Sequence, residues 1–73
     1  MSGSTLRIGE HEYDINLFRT DYGDYDAYVT HLDANGHEDE VGWVTGNSTR
    51  TRAVCKATKT AQRWHKRHAC AAA

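Results

Sequence analysis

Apolar and polar residues alternate through Leu6, Arg7 and Ile8, stop at Gly9 and Glu10, and resume in the opposite phase through Tyr13, Ile15 and Leu17. A period of two is the pattern of a half-buried strand, because successive side chains point to opposite faces of a sheet. The change of phase at the glycine predicts either a short first strand turning into a longer second one or a single strand with a bulge. Residues 12–19 read as a strand with Tyr13, Ile15 and Leu17 on one face and Asp14, Asn16 and Phe18 on the other. Residues 1–4, small and polar, read as a flexible tail.

The stretch Thr20 to Asp24 is a turn in which Gly23 is free to take a positive φ. Tyr25 to Leu32, rich in aromatic and β-branched residues, reads as the next strand. Asn35-Gly36 follows, a strong hairpin signal. Taking those residues as a two-residue loop pairs Leu32 with Asp39, Thr30 with Val41 and Tyr28 with Trp43. One residue of slip would instead bury Ala27, Val29 and Val44.

Beyond Gly46 the period changes. Asn47, Ser48 and Thr49 are side chains that accept from the free N–H groups of a first helical turn, so a helix is expected from about Thr49 to His68. At 100° per residue, Arg52, Lys56, Lys59, Arg63, Lys66 and Arg67 fall within an arc of about 100°. Ala53, Val54, Ala57, Ala61, Trp64 and His68 lie roughly opposite, giving a small-residue seam fit for close packing on a sheet. Residues 69–73 read as a flexible tail. The expected architecture is α+β: an antiparallel meander of three or four strands with one C-terminal helix across one face. All 73 residues form one domain, ordered over about 5–68.

Charge sharpens this picture. Residues 1–45 carry ten acids against Arg7 and Arg19, a net −8, whereas residues 46–73 carry seven cations and no acid, a net +7. The overall balance of −1 conceals a strongly divided molecule. Arg50, Arg52, Lys56, Lys59, Arg63, Lys66 and Arg67 are therefore the candidate nucleic-acid-binding residues, since a row of cations neutralises phosphates and releases their counterions. The alternative site is the acidic stretch DYGDYD, where Tyr22, Asp24, Tyr25, Asp26 and Tyr28 offer aromatic anchors and carboxylates to a host protein. Small accessory proteins of phage or mobile elements often work in this second way. A homo-oligomer held by the two opposite charges is a third expectation.

Other chemistry has less to work with. His65 and His68 stand at i, i+3 and could share an ion, yet no CxxC or HExxH spacing accompanies them, so no metal or other cofactor is predicted. His68 belongs to the apolar margin and His65 to a flank. Cys55 and Cys70, about 22 Å apart on a straight helix, read as free thiols of a reducing cytoplasm. No apolar run suggests a signal peptide or a membrane span. Without a base-orienting residue or a glycine-rich phosphate loop, the chain reads as a binding module and not as an enzyme.

The order of strands followed by a basic helix is similar to the latter part of double-stranded RNA-binding domains. There a Ser-Lys-Lys-x-Ala-Lys start grips phosphate, and here Thr49, Arg50, Thr51, Arg52, Ala53 and Val54 occupy those places. Arg50 alone replaces one of the three lysines with a cation, and that family's preceding helix has no counterpart. The order also resembles integrase arm-binding and plant AP2-type DNA-binding domains, whose sheet enters the major groove. The sheet here is acidic, so the resemblance does not carry that mode of reading across.

Overall fold

The computed structural model describes residues 2–68. Four strands, β1 (Ser2–Ile8), β2 (His11–Arg19), β3 (Tyr25–Leu32) and β4 (Glu38–Asn47), form one antiparallel sheet in the order of the chain. A single helix, α1 (Arg50–His68), lies across one face. This is the expected α+β meander, with the four-stranded form realised. The phase break resolves as a hairpin: Gly9 takes φ +63° at the first position of a two-residue loop, so Ile8 pairs with His11 and Leu6 with Tyr13. The tail expected at residues 1–4 is corrected over its described part, because Ser2, Gly3 and Ser4 pair with Leu17, Asn16 and Ile15 in β1. Backbone hydrogen bonds to β2 hold this segment without large side chains. The tail expected at residues 69–73, with Cys70, lies outside the described residues.

The core forms between the sheet and the alanine seam. Tyr13, Ile15, Leu17, Ala27 and Val29 project from β2 and β3 onto Ala53, Ala57 and Ala61, all buried. Alanines let the helix approach the pleated surface closely, and Trp64, Val54, Tyr25, Val41 and Val44 close the margins. Thr49 caps the helix: its Oγ1 accepts from the Arg52 N–H at 3.1 Å, and its carbonyl accepts from Ala53.

The second hairpin departs from expectation in an instructive way. Asp33 Oδ1 accepts from the N–H groups of Asn35 (2.9 Å) and His37 (2.8 Å), which widens the loop to residues 33–37. Leu32 therefore pairs with Glu38, and Thr30 with Glu40, one residue away from the two-residue-loop register. Beyond Val29 the register shifts again: Val41 is extra, Val29 faces Gly42, and Tyr28 faces Trp43 as the sequence predicts. The bulge also reverses the facing of β4. Glu40 and Trp43, three positions apart, come to lie on the same, helix-free face of the sheet. The helix face in turn takes Ala27 and Val29, the residues a one-residue slip was expected to bury.

Candidate nucleic-acid interface

The helix presents its cations where the packing dictates. With Ala53, Ala57 and Ala61 turned into the sheet, Arg52, Lys56, Lys59, Arg63, Lys66 and Arg67 are all exposed on the outer side. Among the described residues none of these six makes an ion pair with a carboxylate. The acidic sheet lies behind the helix, where Glu12 pairs with Arg7 of the neighbouring strand at 3.4 Å. From Arg52 to Arg67 the stripe runs about 22 Å. One strand of duplex DNA presents about six phosphates over that length. Arg50, the first helical residue, is exposed beside it.

The first turn strengthens the field. Stable helices favour acids there, each contributing about 0.3–1 kcal/mol against the positive end of the macrodipole. This first turn holds no acid, and Arg50 and Arg52 stand in it instead. The helix thus forgoes that stabilisation and concentrates positive potential at its start.

The far end of the helix is tied to the sheet by a cluster of rings. The Tyr13 hydroxyl and His65 Nδ1 are 2.7 Å apart, and His11 Nδ1 and His31 Nε2 are 2.8 Å apart. His31 is almost fully buried, and its Nδ1 lies 3.6 Å from Asp39 Oδ2 without a hydrogen-bond partner. The tautomer that serves both ring nitrogens has His11 Nδ1–H donating to His31 Nε2 and His31 Nδ1–H directed at Asp39. Burial first, then the charges of His11 and His31, hold His65 below its ordinary pKa. The places expected for two histidines are exchanged. His65 turns inward to Tyr13, while His68 is exposed and stacks on Trp64 with ring centroids 4.4 Å apart. The two do not form a shared ion site, and among the described residues no group of three His, Cys, Asp or Glu side chains is arranged to hold a metal.

The alternative residues of the acidic stretch are divided by the sheet. Tyr22 stands 93% exposed at the tip of the Thr20–Asp24 turn, where Gly23 takes φ +87°. Thr20 Oγ1 accepts from the N–H groups of Tyr22 and Asp24. Tyr25 packs against the core on the helix side, whereas Tyr28 lies on the open face against Trp43. Asp26 Oδ1 accepts from the Gly46 N–H. Sequence reasoning left Phe18 and Trp43 out of any site. The even positions of β2 and β3 point to the open face, but the bulge hides the parity of Trp43. Cys55 is an exposed free thiol on the helix. No helix among the described residues is long and apolar enough to cross a membrane. No protein family, curated protein or solved structure matches the chain.

Proposed function

We infer that the protein is a non-enzymatic nucleic-acid-binding module of the cytoplasm that grips the phosphate backbone of DNA or RNA through Arg52, Lys56, Lys59, Arg63, Lys66 and Arg67, with Arg50 at the helix start. The observation that carries this reading is the row of six exposed cations without carboxylate partners, turned away from the acidic sheet. Side chains of this kind contact phosphates irrespective of base, so the reading includes no sequence preference.

Fluorescence anisotropy with duplex DNA, duplex RNA and single strands, each across a range of salt, tests it. If all six cations neutralise phosphates on duplex DNA, log K falls against log salt with a slope of about −5. Replacing Lys56, Lys59 and Arg63 by Glu removes three of these contacts. It should reduce the slope to about −3 or shallower and weaken binding by more than about 100-fold at 0.1 M salt. Unchanged affinity in the triple variant, or a flat salt response in the wild type, overturns the reading.

A further inference from the structure

The face of the sheet opposite the helix carries a feature the basic stripe does not use. Trp43 is 52% exposed there, with the Tyr28 ring at 4.7 Å and the Phe18 ring at 5.6 Å between centroids. Three strands contribute to this patch, since Phe18 lies on β2, Tyr28 on β3 and Trp43 on β4. Cross-strand partners share a face, so Glu12, Asp14, Asp26, Glu38 and Glu40 lie on the same side of the sheet as the rings. Among the described residues the cation on that face is Arg7, and it is paired with Glu12.

Glu40 is held in place beside the rings. The Tyr28 hydroxyl donates to its Oε1 at 3.2 Å, which leaves Oε2 without that donor. Burial, then the hydrogen bond to Glu40 and the charges of Glu40 and Glu38, raise the Tyr28 phenol above its usual pKa. The negative field therefore reaches the aromatic patch itself. Stacked rings on an open sheet also suit nucleobases, but five carboxylates against a single paired arginine repel the phosphates that accompany them. A cation satisfies both the rings and the acids. Arginine fits better than lysine, because a planar guanidinium stacks on an indole while its fork donates to a carboxylate.

We propose that this face docks an arginine-bearing basic segment of a partner protein, with a guanidinium stacked on Trp43 and donating to Glu40. Phe18 and Tyr28 hold the indole in position, and Asp14, Asp26 and Glu38 draw the remaining cations of the segment along the sheet. The site lies on the opposite side from the basic stripe and stands whether or not the helix binds a polyanion.

The test uses labelled arginine and lysine octapeptides titrated with the full chain by fluorescence anisotropy, alongside light scattering of the chain alone. The arginine peptide should bind more tightly than the lysine peptide. Trp43→Ala should weaken it by about tenfold, and Trp43→Phe should recover part of the loss. Glu40→Gln, an exposed change, should weaken the arginine peptide and narrow its lead over the lysine peptide even if Trp43→Ala disturbs the sheet. The helix triple variant with Glu at positions 56, 59 and 63 should bind the arginine peptide undiminished. Equal affinity for the two peptides, or indifference to both Trp43→Ala and Glu40→Gln, overturns the proposal. So does self-association of the wild type that Trp43→Ala and the helix triple variant each abolish, for then the face is filled by a second copy of this chain.

Discussion

Replacing Ala57 by Leu tests whether the helix is held by close approach. Ala57 is fully buried at the centre of the seam, one turn from Ala53 and one from Ala61, which are equally buried. A leucine there adds three carbons where no space faces solvent, and the flanking alanines prevent the helix from tilting to make room. Overpacking of this kind costs about 1–3 kcal/mol. A chain of 73 residues has a total stability of roughly 4–11 kcal/mol, so the loss is a large share of it. With a urea dependence of about 1 kcal/mol per molar for a small domain, the midpoint should drop by about 1–3 M. Lys59→Leu places the same side chain on the exposed side, where it meets no packed neighbour, and should shift stability by no more than about 0.5 kcal/mol. Circular dichroism during urea unfolding reads both. An unchanged midpoint for Ala57→Leu, or equal damage from Lys59→Leu, refutes the packing argument.

Two further outcomes follow from local contacts. Thr49→Ala removes the acceptor for the Arg52 N–H and should cost about 1 kcal/mol, whereas Thr49→Asp should keep the cap yet weaken nucleic-acid binding by placing an anion at the helix start, read by urea unfolding and anisotropy. Because His65 is held below its ordinary value of 6.5, the unfolded chain binds more protons than the folded one between the two pKa values. Its contribution is complete above about pH 6.5 and is lost as pH falls toward the lower folded value. His65→Gln should flatten that part of a urea midpoint series against pH. A wild-type midpoint that rises as this window is crossed downward contradicts the assignment.

Local periodicity made much of this fold legible. The positions Tyr13, Ile15 and Leu17 are buried as their alternation requires, and the helix bounds and alanine seam follow from the 3.6 period with the Thr49 cap. Residues Ser2–Ser4 were hidden because their pairing with β2 is a backbone matter to which small side chains give no signal. The register of β4 was hidden for another reason. The capture of two N–H groups by Asp33 and the extra residue Val41 each move the pairing by one residue, and the two shifts cancel only from Val29 onward. Tyr28 opposite Trp43 could therefore be anticipated, while Glu40 beside them could not. The basic stripe was visible as a helical arc. The contacts among His11, His31, His65 and Tyr13 join segments distant in the chain, and no local pattern announces them.

The thinness of the molecule adds a consequence. The cationic helix and the acid-flanked aromatics are on opposite sides of a single helix-on-sheet layer. Occupants of the two sides would not touch each other, so neither has to leave for the other to arrive. A chain loaded on both sides would hold a basic polypeptide and a polyanion, which attract one another, apart by little more than its own thickness. It would act as an insulating spacer between them, setting their distance and raising the local concentration of each near the other.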